Sequence, residues 1–150
     1  MHASQIAEDY PSVGMESDAL AAARLLAEHR LPGIVVTDGD STPRAVLPAS
    51  QVVRFLVPRY VQDDPSLAGV LSESMADRIA DGLRGKTVGQ LLPEPKSKPI
   101  PPVAQADDTI VEVAALMARC RCPLIAVVDE GRMIGVITAA RLLQVALAGR

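Results

Sequence analysis

The chain has 150 residues, of which 49% are apolar and 22% charged, with a formal net charge of −3. This balance is typical of one globular domain or of two small halves that share a core. Aromatic residues make up only 2%, so rings for base stacking are scarce, and no general positive charge attracts a polynucleotide. No signal peptide or long apolar run is visible, which predicts a cytoplasmic protein without direct membrane insertion.

An internal repeat organises the sequence. Residues 13–38 align with residues 104–129 at an offset of 91, and eight of the 26 aligned pairs are identical. One extra residue after Asp38 changes the offset to 90, which pairs Val46 with Val136 and Ala49 with Ala139. The chain is therefore predicted to be a duplicated unit.

The first copy predicts a helix, two strands and a second helix. Ser17 or Asp18 can cap the first helix, and Pro32 prevents it from continuing. The apolar run Ile34–Val36 predicts a buried strand, and the turn residues 39–43 predict a hairpin to a second strand over 45–47. The copy ends in a helix predicted over 52–57.

A segment between the copies lies outside the repeat. Asp64-Pro65 is typical of a helix start, and a stripe recurs at every fourth position until Gly85 can end the helix: Leu67, Leu71, Met75, Ile79 and Leu83. The stripe covers either the core or a partner-binding surface. Residues 87–92 predict a short helical turn, and the proline-rich residues 93–102 predict a stiff, extended connector.

The second copy repeats the pattern. Thr109 and Glu112 have the spacing of a capping box, and Pro123 limits the helix that follows. The apolar run 124–128 predicts a buried strand, Glu130-Gly131 predicts a hairpin turn, and residues 133–137 and 142–147 predict a strand and a final helix.

The stretch from Pro123 to Thr138 resembles the CBS-domain family, with an apolar strand that ends in Asp129, a turn, and then Gly135-Val136-Ile137-Thr138. The resemblance covers the chain except about residues 59–86. It implies an α/β fold of two β-α-β-β-α motifs related by a pseudo-two-fold axis, with an inserted helical linker. The expected division is a first motif with an N-terminal helical turn over 1–58, the linker over 59–92 and a second motif over 93–150.

The resemblance also implies a function, because CBS pairs often bind AMP, ADP, ATP or S-adenosylmethionine in clefts between the motifs. The family signature is Gly-x-x-Thr/Ser-x-x-Asp, in which the hydroxyl receives phosphate at a helix N-terminus and Asp accepts hydrogen bonds from ribose. The second copy has Gly135 and Thr138, but Arg141 replaces the Asp. Arg only donates and can instead pair with phosphate or carboxylate. The candidate second-copy cleft comprises Val103, Cys122, Pro123, Gly135, Thr138 and Arg141.

The first copy departs further from this signature. It has Ala45, Pro48 and Gln51 at the three positions, so it offers neither the hydroxyl nor the carboxylate. A weaker first-copy cleft is expected at Pro32, Pro48 and Gln51. Structural explanations compete in the second copy, because Thr138 can be only a helix cap, Arg141 a solvated residue, and Val103, Cys122 and Pro123 ordinary core.

The remaining reactive side chains predict no catalytic or metal site. Cys120 and Cys122 are too close in sequence for a normal disulfide framework, which predicts reduced cysteines. Their spacing and the two histidines, His2 and His29, do not match a zinc pattern. Asp38 and Asp129 are related by the repeat and are explained as turn residues.

The predicted function is a non-enzymatic regulatory module that needs no cofactor. It binds an adenine nucleotide or another small anionic ligand and modulates a partner protein. The alternative is a ligand-free interaction module that docks on a transporter, channel or enzyme. A homodimer is expected through the terminal helices, which are rich in apolar residues.

Overall fold

The computed structural model describes residues 1–57, 59–70, 78–92 and 103–148, and it confirms the predicted α/β repeat. The first copy contains β1 (Ser12–Gly14), α2 (Ala19–His29), β2 (Gly33–Thr37), β3 (Pro43–Pro48) and α3 (Ala49–Val53). β2 is the central strand, parallel to β1 and antiparallel to β3. A 3-10 turn over Arg54–Leu56 follows α3, so the helix begins and ends earlier than predicted.

The second copy has the same order of elements. It contains β4 (Val103–Gln105), α6 (Ile110–Cys120), β5 (Leu124–Asp129), β6 (Arg132–Thr138) and α7 (Ala139–Leu147). β5 is central and pairs with β4 and β6 exactly as β2 pairs with β1 and β3. Asp18 and Thr109 cap the equivalent helices α2 and α6 through their side chains.

Both of these helices end in a left-handed residue ahead of the proline. Arg30 and Arg121 have φ values of 51° and 55°. Such a C-terminal residue is usually glycine, because a side chain is disfavoured there. The chain has therefore already turned before Pro32 and Pro123, where a proline cannot continue the helix.

Two short helices are exchanged between the copies. α1 (Ala3–Ile6) precedes the first copy but docks on the second, where Ala3 N–H donates to Asp108 O and Ser4 N–H to Ala106 O. α5 (Val88–Leu91) precedes the second copy but docks on the first, with Val88 N–H to Ser17 O and Gly89 N–H to Met15 O. These two sets of bonds are equivalent in the repeat.

The cores reflect this exchange. Ala3 and Ile6 are buried in the second-copy core, and Val88 and Leu91 are buried in the first-copy core. A third cluster lies between the two sheets and includes Val35, Leu124, Ala126 and Val136, with Tyr10 against it. Each copy therefore completes its core with a helix from the chain segment before the other copy.

The inserted segment differs from the prediction. α4 (Arg59–Asp63) is followed by 3-10 helices at Pro65–Val70 and Ile79–Leu83, so these two stretches do not form the continuous α-helix expected from the stripe. Gly69 and Gly82 weaken α-helical propensity there. Leu83 is fully buried in the first-copy core, which favours the core explanation at that end. Leu71 and Met75, like the proline-rich residues 93–102, lie outside the described residues.

The two cysteines lie side by side. The left-handed backbone of Arg121 turns the chain between Cys120 and Cys122, so their Cα atoms are 5.2 Å apart. The reduced state of these cysteines and the cytoplasmic location stay predictions.

Candidate ligand clefts

Three of the second-copy candidate residues lie where β6 ends and α7 begins. Thr138 caps α7, because its Oγ accepts a hydrogen bond from the Arg141 backbone N–H at 3.1 Å. The Ala139 N–H donates to the Pro123 carbonyl at 3.0 Å, which fixes the loop before β5 against the start of α7. Pro123, Thr138 and Arg141 therefore meet at one end of the sheet.

The Arg141 guanidinium is held by two acceptors. Its Nε donates to the Ile6 carbonyl at 3.2 Å, and its Nη1 donates to Gln144 Oε1 at 3.1 Å. Among the described residues, no acceptor is bonded to Nη2. The side chain is half-buried and carries a permanent positive charge, and its Nη2 N–H groups remain available to bind an anion.

The remaining second-copy candidates have different surroundings. Val103 is half-buried in β4 and pairs with Ala126, and it packs against the cluster between the two sheets. Cys122 is half-buried in the loop before β5, next to Cys120. Val103 thus has a structural role beside any ligand role.

Gly135 is buried by the protein itself. A Cβ added there would lie 2.9 Å from Ala7 Cβ and 3.0 Å from Glu8 O. Glu8 and Val136 exchange two backbone hydrogen bonds, of 2.9 and 3.0 Å, so this part of the chain lies along β6. The space left by the missing side chain is therefore occupied by residues 7 and 8. Sequence analysis did not include Ile6, Ala7 or Glu8 in the site, because they are distant in sequence.

The first-copy candidates form an equivalent arrangement without the charge. Ala49 N–H donates to the Pro32 carbonyl at 3.0 Å, and Pro48 precedes α3 without a side-chain cap. Gln51 Nε2 donates to the Leu91 carbonyl at 2.9 Å. Gln51 therefore corresponds to Arg141 in both repeat position and partner, since Leu91 and Ile6 each end an exchanged helix.

A separate open depression of about 510 Å³ lies in the first copy beyond the ends of β1 and β2. Its lining includes Gly14, Ser17, Thr37 and the Arg44–Asp38 ion pair, whose atoms are 3.5 Å apart. The opposite charges of Arg44 and Asp38 cancel and both side chains are exposed to water, so the pair attracts an anion only weakly. The depression does not include the candidate residues Pro32, Pro48 or Gln51.

Two side chains in the described part have perturbed pKa values. Burial raises the pKa of the Tyr10 hydroxyl to about 12, and the hydroxyl donates a hydrogen bond to the Gly33 carbonyl. The Thr42 hydroxyl and backbone N–H lower the pKa of the exposed Asp40 carboxyl. Neither group lies at the start of α3 or α7. In the described residues, no three His, Cys, Asp or Glu side chains are grouped to hold a metal ion.

The helix layer presents exposed apolar side chains in both copies. Val53 in α3 and Leu143 in α7 are equivalent in the repeat, and they are 55% and 58% exposed. Leu147 in α7 and Val111 in α6 are also exposed, at 62% and 77%. None of the described helices is long and apolar enough to cross a membrane.

Comparison with known proteins agrees with this architecture. A family model described as the CBS domain matches residues 95–148. The chain is 57% identical to a CBS-domain-containing protein of unknown function from Kribbella flavida, over 99% of both chains, with a TM-score of 0.84. The chain belongs to the CBS-domain family. Its two repeated units are a pair of CBS motifs.

More distant structures share the fold of the pair. The CBS-pair protein CBSX2 from Arabidopsis thaliana is 19% identical over 97% of this chain and 94% of its own, with a TM-score of 0.74. A structure of CBSX2 in complex with AMP matches with a TM-score of 0.69 at 19% identity, covering 97% and 96% of the two chains. No curated protein matches the sequence.

Proposed function

We propose that this CBS pair is a non-catalytic regulatory module that binds a small phosphate- or carboxylate-bearing ligand, an adenine nucleotide such as AMP, in its second-copy cleft. The observation that carries the proposal is the half-buried, charged Arg141 in the first turn of α7, the helix that Thr138 caps. A helix N-terminus and a permanent cation both favour an anion. The AMP complex of CBSX2 supports this ligand class.

The two clefts are expected to differ in affinity. The first copy places Pro48 and Gln51 where the second has Thr138 and Arg141, so it lacks both the hydroxyl and the charge. A charge-assisted hydrogen bond contributes about 1.5–3 kcal/mol, which corresponds to roughly ten- to a hundredfold in affinity. The ligand should therefore occupy the second-copy cleft first.

Calorimetry with AMP, adenosine and inorganic phosphate tests this function. AMP should bind more tightly than adenosine, because adenosine cannot engage Arg141. Thr138→Val should weaken AMP binding, whereas Thr138→Ser, which keeps both the hydroxyl and the helix cap, should bind nearly as the wild type does. Gln51→Ala should matter little. Equal affinity for AMP and adenosine, or unchanged binding by Thr138→Val, would contradict the proposed site.

The exposed helix layer favours a second function, association with another copy of this chain. Because Val53 and Leu143 are related by the internal repeat, their surface suits a symmetric partner that presents the same surface. Light scattering at tens of micromolar should give a dimer, and Leu143→Glu should give a monomer. Glu130→Gln, an exposed change in a hairpin turn, is the control. A wild-type monomer would reject this proposal and leave docking on a different protein as the alternative.

A further inference from the structure

Arg141 and Gln51 make the same contact in the two copies. Each is the third residue of its terminal helix, and each donates a side-chain hydrogen bond to the last carbonyl of an exchanged short helix. Arg141 Nε is 3.2 Å from Ile6 O, and Gln51 Nε2 is 2.9 Å from Leu91 O. These bonds connect segments 135 and 40 residues apart in sequence. Two residue types thus perform one positioning task.

The segment that Arg141 holds, residues 2–9, is named the N-terminal arm here. Its backbone is bonded to the second copy at Asp108, Ala106 and Val136. Beyond the arm, the Tyr10 hydroxyl donates to the Gly33 carbonyl in β2 of the first copy at 2.9 Å. The arm and Tyr10 therefore connect the second-copy cleft directly to the central strand of the first copy.

We infer that Arg141 is a coupling residue, which links anion binding in the second-copy cleft to docking of the N-terminal arm. The ligand half of this inference rests on the proposed function. The guanidinium has five N–H donors, and two of its three nitrogens are bonded to Ile6 and Gln144. An anion at Nη2 fixes the guanidinium in place without displacing the Ile6 carbonyl. Ligand and arm then stabilise each other.

The first copy makes the equivalent hydrogen bond to an exchanged helix, but it lacks the positive charge. Gln51 holds the Leu91 carbonyl through a neutral amide, which offers no charge to an anion. Gln51 can position α5 on the first copy, but it has no charge through which a bound anion could affect that position. Ligand binding is therefore expected to be coupled to a segment in the second copy only, and this coupling runs from the second-copy cleft through the N-terminal arm to β2.

Hydrogen exchange of the full-length protein tests the positioning role without a ligand. Arg141→Ala should speed exchange of the Ala3, Ser4 and Glu8 amides about tenfold, as expected for the loss of one hydrogen bond. The Val88 and Gly89 amides in α5 should be unaffected. Gln51→Ala should give the reverse pattern. Arg141→Gln should keep the arm protected, because a glutamine already makes the equivalent contact in the first copy.

Adding AMP to the same proteins tests the coupling. AMP should slow arm exchange in the wild type at least several-fold, and it should have no effect in Arg141→Gln, which retains the contact but not the charge. Unchanged arm exchange in Arg141→Ala would overturn the positioning role. AMP binding by calorimetry with no change in arm exchange would overturn the coupling and leave the proposed function intact. No binding of AMP or phosphate to the wild type would reject both the proposed function and the coupling, while the Arg141→Ala result still decides the positioning role.

Discussion

The two copies have one backbone plan but use its key positions differently. At the start of the last helix, the second copy has a threonine cap and an arginine, whereas the first has a proline and a glutamine. Both Arg141 and Gln51 nevertheless hold the carbonyl of an exchanged helix. Each copy thus has a side-chain donor at this position, and only the second copy combines the donor with a charge suited to an anion.

The largest expected effect is a loss of stability, and it comes from the close packing of Gly82 against Phe55 in the first copy. A Cβ at Gly82 would lie within overlap distance of the Phe55 carbonyl, so the 3-10 helix Ile79–Leu83 could not keep its position. Gly82→Ala should lower the free energy of unfolding by about 4 kcal/mol, as severe steric changes do. Gly39→Ala, with no atom within 4 Å of the added methyl, is the control for chemical denaturation. Equal stabilities of the two variants would show that the close approach is absent.

The exchanged helices provide a symmetric test. Ile6 and Leu91 are 2% and 0% exposed and lie in opposite cores. Ile6→Ala and Leu91→Ala should each destabilise the protein by about 3 kcal/mol, because each leaves a cavity. In native-state hydrogen exchange, Ile6→Ala should loosen mainly the second copy and Leu91→Ala the first. If Ile6→Ala loosened mainly the first copy and Leu91→Ala the second, the exchange of the two short helices between the copies would be contradicted.

Gly135 tests the arm more directly. Gly135→Ala places a methyl group against Ala7 and the Glu8 carbonyl, so the arm must move away from β6. The expected cost is about 2 kcal/mol, measured by denaturant titration. Faster exchange of the Glu8 amide should accompany it. Gly131→Ala would be a poor control, because Gly131 has a positive φ and an alanine there adds backbone strain. Gly39→Ala is therefore the control here as well. A stability equal to that of the control would contradict the close packing of the arm.

The smallest effect is a pH dependence at the junction of the copies. The pKa of Tyr10 is raised from 10.0 to about 12 by burial. Since the folded state then binds the proton more tightly, Tyr10 contributes stability that is fully present below pH 10 and declines as pH rises toward 12. Because water screens the half-buried ring, the change is about 1 kcal/mol or less. Stability curves of Tyr10→Phe and wild type should therefore converge between pH 10 and pH 12, and parallel curves would contradict this.

The site was only partly predictable. Spacing located Thr138 and Arg141 at the start of α7, and Thr138 does cap it. Nothing near Arg141 in sequence indicated Ile6 as its partner, because hydrogen bonds across 135 residues leave no local pattern. Helical turns were predicted at residues 87–92 and at the N-terminus, and His2 and Thr87 each have a glutamine three residues later, as in a capping box. No local pattern indicated the copies on which these short helices dock.

The sequence by itself determined the repeat and, in each copy, the order helix, two hairpin strands, helix, because apolar periodicity, caps and turn residues act over a few neighbouring positions. The first strand of each copy was expected only from the resemblance to the CBS family. Tertiary structure decided the exchange of α1 and α5, the use of Gly135 by the N-terminal arm, and the 3-10 geometry of the described linker. It also brought Cys120 and Cys122 together through the left-handed Arg121. These features depend on close packing between distant segments, and such packing can override local propensity when it buries residues such as Ile6 and Leu83.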